Sequence, residues 1–146
     1  MSMSAQEVFD IVAVHLLRQG QKSTVLVPCP VRGTICAYRG YNGTRCAAGI
    51  LIRNDEYREG MEGNSWFAVV TAWPDLAARI GNPALVIDLQ VLHDTTNPEE
   101  WNGGLRSIAL IKGLSCQCID DFLASKSEVQ CRVTCQAPET HLAEAI

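Results

Sequence analysis

The stretch NPALVIDLQVLHDTTNPEEWNGGLRSIALIKG, residues 82–113, decides the fold. Twice within it an Asn-Pro pair precedes an apolar stripe at helical spacing. Asn82 stands as an N-cap before Pro83, whose fixed φ and missing N–H suit the first position of a helix. Leu85, Val86, Leu89, Leu92 and His93 then recur at three- and four-residue intervals. Asn97 and Pro98 repeat the device. Glu99 and Glu100 put negative charge in a first turn, where the helix dipole favours it. Trp101, Leu105, Ile108 and Ile111 carry the second stripe to Gly113. Two such helices joined by a short polar connection predict an antiparallel pair, and the remainder of the chain is read around it.

Upstream, Ser4-Ala5-Gln6-Glu7 has the form of a capping box. Val8, Phe9, Ile11, Val12, Leu16 and Leu17 follow at helical spacing, and Gly20 supplies the stop. Residues 65–72, and DLAARI before Gly81, predict two shorter helices separated by Trp73-Pro74. STVLVP, residues 23–28, is β-branched and ends in proline, which suits at most an edge strand. CAYRGYNGTRCAAG, residues 36–49, centres on Asn42-Gly43, a pair fitted to a type I′ turn because both central positions need positive φ. It predicts a small β-hairpin near residues 35–47, with arms at 35–38 and 44–47. AAGILI can open a short buried helix, and Asp55, Glu56, Glu59 and Glu62 around Tyr57 make a solvated acidic loop. From Leu114 the chain turns cysteine-rich, with a short helix near 119–124 and a strand-like EVQCRVTC at 128–135. The fold class is mainly α (α+β): a compact helical domain over residues 1–113 with an inserted hairpin. Residues 114–146 form a C-terminal extension packed on the same domain.

A chain of 146 residues has room for one core. Its net charge of -4, with basic residues scattered along the chain, argues against nucleic-acid binding, which rests on phosphate neutralisation by Lys and Arg. No apolar run approaches a membrane span, and MSMSAQEVFD lacks the charged and apolar regions of a signal peptide, so the expected location is the cytoplasm. The cysteine count of seven is odd, which together with that location favours reduced, buried thiols over a disulfide framework.

Three constellations carry candidate chemistry. Tyr38, Arg39, Tyr41 and Arg45 put aromatic and cationic groups on the hairpin tip, a combination suited to a protein interface or a small anionic ligand. Cys46, where a turn feeds Ala47-Ala48-Gly49, is a candidate nucleophile with His93 as its base. Against that stands the position of Asp94: about 100° from His93 on a helix, it is badly placed to orient its neighbour's imidazole. Cys116, Cys118, Cys131 and Cys135 could hold zinc, although the Cys116-x-Cys118 spacing is one residue tighter than a zinc knuckle. Cys29, Cys36 and Cys46 make a second, poorer cluster. Burial is the simpler reading of all of them.

The order of CAYRG, CAAG, the acidic Tyr57 loop, LQVLHD and PEEW resembles a group of small uncharacterised proteins of tailed phages and prophages, over about residues 5–113. The resemblance carries no chemistry of its own. Together with the Tyr/Arg hairpin and the lack of a convincing catalytic set, it leads to the expectation of an accessory protein that binds and modulates a host component in the host cytoplasm. Such a protein, an anti-defence factor by analogy, acts by occupancy through that hairpin and not by catalysis. A host protein is the implied partner, and no cofactor is implied. The proline-rich stretch near 25–31 and the cysteine-rich tail depart from the group's pattern.

Overall fold

A computed structural model describes residues 2–26 and 33–136, with side chains as far as residue 130. Helix α1, Ala5–Gln19, begins as its capping box predicts: the Ser4 hydroxyl accepts from the Glu7 amide at 3.1 Å, and Gly20 closes it at φ 65°. Val8, Phe9, Val12, Ala13 and Leu16 on one face of α1 are wholly buried. α1 is the central helix: the turn at Gly49–Leu51 and the later helices α4 (Pro83–Thr95), α5 (Trp101–Lys112) and α6 (Gln117–Gln136) all pack on it. Helices α2 (Trp66–Ala72) and α3 (Pro74–Ile80) complete the shell. α2 opens on Ser65, whose hydroxyl accepts from the Ala68 amide at 3.2 Å.

α4 and α5 pack together, but the second stripe holds only in part: Ile108 is half-buried and Ile111 is exposed, while Ala109 is buried in their place. Leu89, Trp101 and Leu105 are fully buried. Gly104 lets the two helices close up, since a β-carbon there would run into the Leu92 side chain. The asparagines do not cap as expected. Asn82 sits in the left-handed region at φ 52° and makes no side-chain cap bond. Its amide instead donates to the carbonyls of Met3 and Ile80. Proline pre-organises the start of α4, and asparagine supplies the bend before it.

The hairpin differs from expectation in its pairing. β1, Thr24–Leu26, runs antiparallel to β2, Thr34–Cys36, with Val25 opposite Ile35. Asn42 and Gly43 do take positive φ, 60° and 72°, and the Thr44 amide donates back to Tyr41 at 3.2 Å. The flanking segments form no ladder because their amides are already engaged. Ala37 donates to Ser23, Tyr38 and Arg39 to the Glu62 carboxylate, and Arg45 to the Gln19 side chain. Each main-chain donor has one such bond to give.

The tail is also corrected. Residues 117–136 are one continuous helix, so the strand expected at 128–135 is helical. Ile119 is buried in the core and Leu123 packs against it, which anchors α6 at its first turns. AAGILI gives only a single 3-10 turn, Gly49–Leu51. Gly49 is required there: a β-carbon would collide with the main-chain carbonyl of Tyr38.

Trp101→Ala should cost about 3–5 kcal/mol, the usual range for emptying a buried aromatic site, and Gly49→Ala should destabilise although it adds only a methyl group. Thermal unfolding checks both. A Gly49→Ala protein melting with the wild type would show that the Tyr38 carbonyl has room to move.

Candidate functional site

Segments far apart in the sequence converge on one cleft of about 460 Å³, lined among others by Cys36, Tyr38, Cys46, Trp66, Gln90 and Asp94. Its position is fixed by hydrogen bonds. At the last turn of α1, His15 Nε2–H and the Gln19 amide both donate to the Arg45 carbonyl, at 2.8 and 3.0 Å, and the Gln19 carbonyl oxygen accepts the Arg45 amide. Those bonds set the main chain immediately before Cys46. The Glu62 carboxylate accepts from the Tyr38 and Arg39 amides at 2.8 and 3.0 Å and from the Tyr57 hydroxyl at 2.7 Å. The loop read as solvated is therefore partly structural: Glu62 clamps the CAYRG segment, and Glu56 pairs with Arg79.

His93 is fully buried and stacks on Trp101, ring centroids 5.5 Å apart. Its Nε2 accepts the Ser23 amide at 3.0 Å, and Nδ1 lies 2.8 Å from Asp94 Oδ1. With Nε2 an acceptor, the proton is on Nδ1 and is donated to Asp94. The expectation that Asp94 could not orient its neighbour is thus corrected. Nδ1 lies on the backbone side of the imidazole, and the short carboxylate swings back to reach it. The Gln90 amide donates to the same Oδ1 at 2.8 Å, while its carbonyl oxygen accepts the Ala48 amide at 3.0 Å. Lys22 Nζ donates to the main-chain carbonyl of Asp94 at 3.1 Å and not to its carboxylate.

This geometry bears directly on the Cys46–His93 pair. Both imidazole nitrogens are committed, one as acceptor and one as donor, so His93 has no lone pair free to take a thiol proton. Cys46 is 1% exposed, and its sulfur accepts from the Gly49 amide at 3.3 Å. Burial, the leading cause, pushes its thiol up to about 12. Cys36, half-buried, is pushed up to about 11, first by burial and then by its hydrogen bond to the Asp94 carboxylate. Both thiols are protonated at neutral pH, the opposite of an activated nucleophile.

Ligand atoms of Cys36, His93 and Asp94 lie within 4.8 Å of one another, close enough to suggest a metal. The tautomer opposes it. A ligating imidazole normally donates through its other nitrogen, whereas here the other nitrogen accepts a main-chain amide. The zinc set proposed for the tail does not converge either. Cys118 and Cys131 lie on one helix, where a rise of 1.5 Å per residue separates them by about 20 Å. Cys116 and Cys118 instead pack against the core. Burial and a hydrogen bond to Asp10 push the Cys118 thiol up to about 12. Cys29 and the side chains of Cys131 and Cys135 lie outside the described residues.

The four residues assigned to the hairpin tip separate. Tyr38 is core, its hydroxyl donating to the Asn64 carbonyl at 2.7 Å. Arg39 is half-buried over the Tyr57 ring and donates to the Ile52 carbonyl at 3.0 Å. Arg45 reaches Asn54 at 3.0 Å. Tyr41 alone of the four is exposed, beside the exposed Leu26, whose amide donates to its hydroxyl at 3.2 Å. Sequence reading missed Glu62, Gln90 and Trp66 as site residues. The LQVLHD motif held the one available signal, since Gln90 and Asp94 are four apart and share a helix face.

No family model, curated protein or solved structure matches this chain. No described helix is long and apolar enough to cross a membrane.

Raising the Cys36 thiol from 9.0 to about 11 predicts alkylation by iodoacetamide at pH 8 about 100-fold slower than in the unfolded chain. Cys46 should react more slowly still. The folded state keeps thiol protons that the unfolded chain releases, so stability contributed by these groups is intact below about pH 9 and falls as pH rises toward 11. Mass-mapped alkylation of the folded protein checks the first point, and a free-thiol rate at Cys46 would restore it as a nucleophile.

Proposed function

We propose that the protein is an accessory protein of the phage or prophage type that binds and modulates a host component by occupancy, anti-defence action being one form of such modulation. The observation that carries this reading is the convergence of the CAYRG, CAAG, Trp66 and LQVLHD segments on one preformed cleft. Its polar groups are held by hydrogen bonds, and its thiols are kept protonated. The cleft volume of about 460 Å³ falls within the range of about 300–1,000 Å³ usual for ligand pockets.

The cleft has an apolar margin. Ile35 lines it and is 47% exposed. Leu26, one residue past Ile35's cross-strand partner Val25 and so on the other face of the ribbon, forms a second exposed margin with Tyr41, at 65% and 51% exposure. Tyrosine at such a margin is a residue type that dominates interface energies. The proposed working surface is therefore the cleft together with Tyr41, the most exposed of the four hairpin-tip residues. A cysteine-dependent hydrolase or transferase would need a thiolate and a free base, and Cys46 and His93 are arranged to supply neither.

The test is affinity capture from a bacterial lysate with the wild type, Tyr41→Ala and Gln90→Ala proteins, each first checked for an unchanged melting temperature. A stoichiometric partner retained by the wild type and lost by both variants is expected. Turnover of an ester or thioester substrate that disappears in Cys46→Ala, with no partner retained, would replace this reading by the enzymatic one.

A further inference from the structure

The cleft holds a carboxylate with no cationic partner. Asp94 has a side chain 37% exposed, and its nearest ring partner is the neutral imidazole of His93. Among the described residues no lysine or arginine forms an ion pair with it; Lys22 Nζ, whose charge also reaches Cys36, donates to the Asp94 main-chain carbonyl at 3.1 Å and not to the carboxylate. His93 and Gln90 both donate to Oδ1, the Cys36 thiol also bonds the carboxylate, and the side chain remains 37% exposed to whatever enters the cleft. Such an arrangement fixes the carboxylate's orientation without neutralising it.

A second observation points the same way by different chemistry. Trp66, at the first residue of α2, lines the cleft and is 3% exposed, yet its indole N–H has no acceptor. A buried donor left unpaired costs about 1–3 kcal/mol. The same residue type shows how the need is met elsewhere: the indole of Trp101, also buried, donates to the Thr96 carbonyl at 3.0 Å. Trp66 lies beside Tyr38, ring centroids 6.3 Å apart and planes at 51°, so two aromatic faces stand near the carboxylate. Aromatic faces attract cations, most strongly where water is excluded. Cys36, Cys46 and Ala37 add small apolar walls suited to a methylene stem.

We propose that the cleft recognises a basic residue of a peptide, its ammonium or guanidinium group on Asp94, its stem along the wall that Tyr38 and Trp66 form together, and an adjacent carbonyl accepting from the Trp66 indole. The inference rests on the binding reading above and gives it a ligand chemistry. Because the indole N–H is shielded in the free protein, binding includes a small rotation of Trp66 at the exposed start of α2. An anionic ligand would meet the carboxylate unfavourably, so the small anion considered for the Tyr/Arg segment has no place in this cleft.

NMR titration of the full chain tests it with four probes: the N-acetyl amides of arginine, lysine and citrulline, and guanidinium chloride. Arginine and lysine amides should give saturable shifts at Ala37, Asn64 and Gln90 and move the Trp66 indole proton, and their relative affinities identify which basic residue is preferred. Citrulline amide, neutral and nearly isosteric with the arginine probe, should bind at least 10-fold more weakly. Trp66→Phe keeps a ring and removes the donor, so it should weaken arginine amide several-fold while leaving guanidinium unchanged. Asp94→Asn should abolish the discrimination between arginine and citrulline amides. Equal binding of those two amides, no saturable shift, or an indole proton unmoved at saturation would overturn the inference. Should arginine and lysine amides fail while a lysate partner is still captured and lost on Gln90→Ala, the cleft is an interface of other chemistry. Absence of any partner would instead be failure of the binding reading itself.

Discussion

One buried imidazole holds the parts of this molecule in register. His93 takes the Ser23 amide on one nitrogen, gives a proton to Asp94 from the other and stacks on Trp101. Those three contacts tie the loop before β1, the cleft and the α4–α5 pair to a single ring. Ser23 is itself wholly buried, and its hydroxyl and carbonyl bond the carbonyl and amide of Ala37. Movement of α4 is therefore felt at the start of the CAYRG segment. Burying a polar ring is tolerable only because both its nitrogens are satisfied, and that satisfaction is also what withdraws His93 from acid–base work.

The carboxylates divide their labour in a similar way. Glu62 spends both oxygens on main-chain amides and a tyrosine hydroxyl, and so behaves as a structural clamp. Asp94 takes the His93 and Gln90 donors on one oxygen and lines the cleft with its side chain 37% exposed. The difference lies in how many donors each finds, since both carry the same chemical group. Burial without a compensating cation has the parallel effect on the thiols, holding Cys36 and Cys46 in their neutral forms beside that carboxylate.

The helices were legible wherever their signals are local. Ser4, Gly20, Ser65 and the prolines at 74 and 83 mark ends that depend on groups within one turn. The site was legible only in its vocabulary. Its decisive bonds join Ser23 to His93, Tyr38 to Glu62 and Arg45 to Gln19, and no spacing rule links residues 24 to 70 positions apart. The hairpin arms failed for the same reason, because distant acceptors claimed the amides a ladder would need. In the tail, the β-branched residues after Glu128 outweighed helical continuity in the sequence reading. Yet α6 continues from a turn already anchored by Ile119, and no described strand lies alongside to pair with it.

The pairing of α1 with α6 carries a consequence for how the chain acquires its structure. Gln6 exchanges two hydrogen bonds with Ser115, its amide donating to the Ser115 carbonyl and its carbonyl oxygen accepting the Ser115 amide, across 109 positions. Arg18, a little over three turns further along α1, lies above the Phe122 ring of α6 at 5.7 Å. The helix at the centre of the core is thus translated well before one of the helices that cover it. While the ribosome makes the intervening segments, the stripe of Val8, Phe9 and Val12 waits partly uncovered. Cooperative closure depends on a contact of long sequence separation, which slows folding by the entropy of bringing such ends together. During that interval the nascent chain presents an apolar helix face that is a natural substrate for holdase chaperones.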